Sequence, residues 1–114
     1  MSASAVARAP SLMSSRRRIV RLTAEAQDDF IEIRFYTQQQ WGETQRDHYE
    51  AALLRAIATL ADFPEIGSRL PRLFPGCRVR PVERHVLYYR ILGNVIEVVR
   101  ILHERVDPSQ QFPP

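Results

Sequence analysis

Gly93-Asn94, set between two runs rich in β-branched and aliphatic residues, Arg84 to Leu92 and Val95 to Leu102, constrains this chain more than any other feature. A two-residue Gly-Asn break between such runs is a hairpin signal, because tight turns that match strand twist need positive-φ backbone that these residues tolerate. With a two-residue turn, opposed positions sum to 187. That register puts Val86, Tyr88, Arg90, Glu97, Val99 and Ile101 on one face of the hairpin. His85, Leu87, Tyr89, Ile91, Ile96, Val98, Arg100 and Leu102 fall on the other. Both faces are largely apolar, so helices can cover one while loops or a partner must cover the other. Arg90 falls opposite Glu97, which accounts for both charges as a cross-strand ion pair.

The cover comes from upstream. Ile19 to Thr23 reads as a first strand. Thr23 is a candidate N-cap, the acids of Ala24 to Asp29 suit a first helical turn, and Ala26, Phe30, Ile33 and Tyr36 follow at helical spacing up to Trp41-Gly42. A second helix starts near Glu43 or Thr44 and carries the stripe Tyr49, Ala52, Leu53, Ala56, Ile57, Leu60 and Phe63, stopped by Pro64. Residues 64 to 76, punctuated by three Pro and two Gly, read as a loop, and Cys77 to Glu83 as a further strand. The expectation is an α+β domain: a strand, an antiparallel two-helix hairpin, then a three-stranded antiparallel meander. The domain spans residues 18–107, between a disordered Ala/Ser/Arg leader over 1–17, with Met13 as an alternative start, and a flexible tail over 108–114.

One cysteine, Cys77, excludes a disulfide framework, and together with three scattered histidines it excludes a zinc site; a reducing compartment is expected. No apolar stretch approaches the roughly 20 residues of a membrane span. Every one of the 16 basic residues is Arg. Residues 24–62 are acidic and residues 63–105 basic, the latter with eight Arg against four acids. Clustered guanidinium groups suit phosphates or an acidic peptide.

Specific residues then match a family. Ala26, Phe30, Ile33, Tyr36, Gly42, Tyr49 and Leu53 lead to Phe63-Pro64-Glu65-Ile66-Gly67 and Gly76-Cys77-Arg78. Pro81-Val82, Tyr88-Tyr89-Arg90 and the closing Val99 to Asp107 complete an ordered set that resembles the ParE toxins of the ParE/RelE toxin–antitoxin superfamily. The resemblance implies a cytoplasmic toxin neutralised by an antitoxin of ribbon-helix-helix type, with DNA gyrase as its target. It implies contact with operator DNA only through the antitoxin, no membrane, no small-molecule substrate, no cofactor and no metal. The alternative is a RelE-like ribosome-dependent mRNA endoribonuclease.

A metal-free ribonuclease needs a general base, a general acid and cations on the developing phosphorane. The nuclease alternative draws these from His103, Arg100, Arg78, His85 and Glu83. The chain has no lysine, unlike RelE-type nucleases, so the first expectation is a non-catalytic inhibitor. For partner binding the candidates are Arg78, Arg80, Arg90 and Arg100 as a basic rim, with Tyr88, Tyr89 and Trp41 as apolar contacts.

Overall fold

The computed structural model describes residues 17–113, so all of the expected leader except Arg17 lies outside the described residues. The chain runs β1 (Ile19–Leu22), α1 (Ala24–Trp41), α2 (Glu43–Asp62), β2 (Ser68–Arg69), β3 (Arg78–Val82), β4 (His85–Leu92) and β5 (Val95–His103), with a last 3-10 turn at Pro108–Gln110. The five strands form one sheet in the order β1-β5-β4-β3-β2, with β1 parallel to β5 and the other pairs antiparallel.

Thr23 explains how the first crossover is held. Its hydroxyl accepts the Ala26 N–H at 3.1 Å, capping α1, and donates to the Val99 carbonyl at 2.8 Å. Its own N–H donates to the Val98 carbonyl at 3.0 Å. A single residue therefore starts the helix and ties that start to the sheet. The two helices then meet at Gly42, whose φ of 91° lets the chain reverse with no intervening loop residue.

The helices cover one face of the sheet. Ala26, Ile33, Leu53, Ile57 and Leu60 pack on Val82, Leu87, Tyr89, Ile96, Val98 and Ile101. Each fully buried aliphatic side chain contributes about 1.5–3 kcal/mol relative to exposure, which makes this cluster the main source of stability. A second, smaller cluster of Leu73, Cys77, Tyr88 and Leu102 lies on the opposite face, sealed by Leu70, Phe74 and Phe112. The loop thus covers the face the helices do not reach. Burial in this cluster pushes the Cys77 thiol up to about 11.

Three local expectations need revision. The 187 register holds from Leu92↔Val95 to Tyr89↔Val98, after which Tyr88 opposes Arg100 and Leu87 opposes Ile101. Val99 is the extra residue of a β-bulge, at the point where β1 ends and Thr23 takes over its carbonyl. From there on the faces exchange, so Ile101 points to the helices and Leu102 to the far side. The Pro/Gly loop contains the two-residue strand β2, too short to leave a pattern. Glu83-Arg84 forms the β3–β4 turn, with Glu83 at φ 57°, although neither residue carries a turn signature. Near the C-terminus, the ring of Phe112 lies 5.1 Å from Phe74 and 5.5 Å from Tyr88.

Tyr89 closes the loop after α2. Its hydroxyl donates to the Pro64 carbonyl at 2.7 Å and accepts the Gly67 N–H at 2.8 Å. A Cβ on Gly67 would stand 2.6 Å from that hydroxyl, so the approach requires glycine.

Candidate functional site

A groove of about 1010 Å3 opens between α1 and the end of β5. One wall is a single helical face, Asp29, Glu32, Ile33, Tyr36, Thr37 and Trp41, spaced three or four residues apart. The opposite wall is Arg100 to His103 with Arg105 and Val106, and Gln45, Tyr49, Arg84 and His85 close the remaining side. The groove exists because β1 stops at Leu22, opposite Val98, leaving the next residues of β5 without a neighbouring strand on that side.

Side chains partly occupy that open edge. The carboxylate of Asp29 accepts the Ile101 N–H at 2.9 Å, and also two bonds from the Arg100 guanidinium at 2.7 and 2.9 Å. The bidentate, largely buried pair raises the Arg100 pKa and keeps the guanidinium charged. Farther along the helical wall, the exposed rings of Tyr36 and Trp41 meet edge to face at 6.1 Å. Two exposed aromatic side chains at a groove mouth are the kind of anchor that protein interfaces use.

Below them lies a cluster of Tyr49, His85 and His103. The Tyr49 hydroxyl accepts the Arg84 N–H at 3.1 Å and is hydrogen-bonded to Nδ1 of His85 at 2.5 Å, with the imidazole tautomer setting which of the two donates. Burial first, and then the neighbouring His103, lower its pKa to about 4, against opposing contributions from Glu104 and Asp29. Burial likewise raises the Tyr49 pKa, in spite of the Arg84 N–H. His103, edge to face with His85 at 5.2 Å, accepts the Arg105 N–H on its own Nδ1 at 3.1 Å. Nδ1 of both imidazoles is thus engaged in hydrogen bonds inside the protein.

The residues singled out from sequence are dispersed. Trp41, Arg100, His85 and His103 share the groove. Arg78 and Arg80 lie on β3 beside Tyr89, and Arg78 donates to the Glu65 and Gly67 carbonyls at 3.3 and 2.9 Å. Arg90 pairs with Glu97 at 2.9 Å, as its register required, and stands over the Phe74 ring. Tyr88 and Tyr89 belong to the two cores and are not contact surface. Glu83 is an exposed turn residue outside the groove lining. The four arginines accordingly form no common rim, and the five residues of the nuclease alternative form no common site. Sequence reasoning passed over Asp29, Tyr36 and Arg84, whose roles depend on contacts across up to 72 positions. Among the described residues no group of three or more His, Cys, Asp or Glu side chains could hold a metal ion. No helix among them is long and apolar enough to cross a membrane.

Comparison with known proteins agrees with this architecture. Residues 20–108 match the family model of the ParE toxin of the type II toxin–antitoxin system parDE. Toxin ParE1 of Mycobacterium tuberculosis is 38% identical over 92 residues, covering 80% of this chain and 94% of that protein. Toxin ParE of Escherichia coli is 39% identical over 87 residues, covering 75% of this chain and 84% of that one. Among solved structures, a chain of the chromosomal ParDE system of Pseudomonas aeruginosa superposes with a TM-score of 0.67 at 20% identity, covering 78% of this chain and 98% of its own, a likeness of fold. The chain belongs to the ParE toxin family of type II toxin–antitoxin systems, within the ParE/RelE superfamily.

Proposed function

We propose that this toxin arrests bacterial growth by binding DNA gyrase, with no catalysis of its own, and that a ribbon-helix-helix antitoxin neutralises it by filling the groove between α1 and β5. The observation that carries the non-catalytic half is the engaged imidazole pair. A ribonuclease acting through His85 and His103 would need one of them to take a proton from a ribose hydroxyl. Nδ1 of each ring is already engaged inside the protein, by the Tyr49 hydroxyl and by the Arg105 N–H. Family membership supports the protein-target reading, and the exposed Tyr36 and Trp41 beside apolar Val106 suit an antitoxin arm with apolar anchors.

The purified chain is to be incubated in parallel with messenger RNA on ribosomes and with gyrase and supercoiled plasmid. Trapped gyrase cleavage complexes with intact RNA are expected. RNA cleavage that disappears in His103→Ala would replace this reading with the nuclease. For the antitoxin, Trp41→Ala together with Tyr36→Ala is expected to weaken binding at least tenfold, since paired aromatic anchors contribute about 2 kcal/mol or more. Unchanged affinity would move the arm to another surface.

A further inference from the structure

The register between β2 and β3 places Arg69 directly opposite Arg78. Like charges on opposed strand positions destabilise a sheet unless something compensates them. Here none of the ion pairs among the described residues involves Arg69, Arg78 or Arg80. Arg78 is instead aimed by two backbone carbonyls of the loop after α2, which fix its position without neutralising it. Arg69 and Arg78 line a cleft of about 390 Å3 floored by Ile91 and narrowed only by Pro71, Gly76 and Cys77. This cleft shares no lining residue with the α1–β5 groove.

We propose that Arg69, Arg78 and Arg80 form a binding strip for the phosphodiester backbone of a single-stranded nucleic acid. Two arginines lining one cleft, Arg78 with only its Nη1 given to the loop carbonyls, suit the several oxygens of a phosphate better than one carboxylate, which a single fork satisfies. Arg80 stands two residues beyond Arg78 on the same face of β3, about 7 Å along the strand, a step a single phosphate cannot span but successive phosphates can. The loop that aims Arg78 also carries Phe63, 63% exposed, at its start. A cationic track joined through this loop to an exposed aromatic ring offers both elements that hold a single strand, backbone contacts and base stacking. The strip goes beyond gyrase binding and does not depend on it.

The test is fluorescence anisotropy of the full chain with a labelled single strand of about 12 nucleotides over a range of salt concentrations. It compares wild type with Arg69→Ala, Arg80→Ala, their combination and Phe63→Ala. Arg78 is kept because it holds the loop. The leader arginines are common to every variant and cancel in the comparison. Each arginine variant is expected to bind several-fold more weakly and to reduce the salt slope by about 0.7. Phe63→Ala is expected to lose about fivefold or more with the slope unchanged. Melting temperatures near wild type establish that the fold is retained. Binding unaffected by the double arginine variant would overturn the proposal. So would displacement by polyglutamate of matched charge, which would point to an acidic protein segment, or by inorganic phosphate alone, which would point to a single-anion site.

Discussion

Burial of the His85 ring, reinforced by the neighbouring His103, makes the stability of the toxin sensitive to acid. His85 titrates near 4 in the folded chain, against about 6.5 when unfolded. Between those values the unfolded chain binds more protons, so the contribution is fully present above about pH 6.5 and is lost as pH falls toward 4. Because the ring is only half-buried, the loss should be about 1–2 kcal/mol. Urea midpoints between about pH 7 and 4.5 measure it. A flat profile would refute the depressed pKa. Tyr49→Phe removes the hydroxyl from Nδ1 of His85 but leaves the burial that depresses its pKa, so the acid-sensitive window should persist. The same change leaves the Arg84 N–H without its acceptor and costs about 1 kcal/mol at neutral pH. The pairing joins positions 36 apart, and no local pattern announces it.

At the scale of elements, the decisive feature is where β1 ends. A four-residue strand cannot accompany nine residues of β5, and the bulge at Val99 falls where the pairing stops. Beyond it, Asp29 stands in for the missing strand by accepting the Ile101 N–H and gripping Arg100. Asp29→Asn keeps an acceptor for the amide but loses the ion pair, and should cost about 1 kcal/mol. Asp29→Ala leaves a partly buried guanidinium and an amide unsatisfied, and should cost about 2–4 kcal/mol. Urea denaturation of the two variants gives that order. Equal, negligible losses would mean the clasp contributes nothing to the edge. The helix boundaries, by contrast, were legible: Thr23, Gly42 and Pro64 mark α1 and α2 to within a residue, because caps and breakers act locally. The hairpin turn was legible for the same reason, but the register was not, since a turn pins only the pairs that precede the first bulge.

For the whole molecule, two cores of unequal size share one sheet. Leu53→Ala in the helix-side cluster should cost about 3–5 kcal/mol, a large part of the total stability of a domain this size. Phe112→Ala on the far face should cost only about 1–2 kcal/mol, because that ring remains partly exposed and its neighbours retain Leu70 and Phe74. Thermal melting of the two single variants and of the double variant tests the division, and additivity is expected for sites on opposite faces of the sheet. A double variant losing much more than the sum would mean that the faces form one cooperative core.

The amino-acid sequence by itself determined the α+β class, the helix pair, the Gly93-Asn94 hairpin, the Arg90–Glu97 pair and the toxin family, all of which rest on short-range patterning or on ordered motifs. Only the tertiary structure decided which tyrosines were core and which face of the sheet the loop sealed. It also decided that Asp29, Tyr49 and Arg84 would meet β5 and His85, and that Arg69 would oppose Arg78. Those outcomes depend on where one short strand stops and on contacts between residues far apart in the chain. Side-chain chemistry and spacing specify which contacts are possible, and packing selects among them.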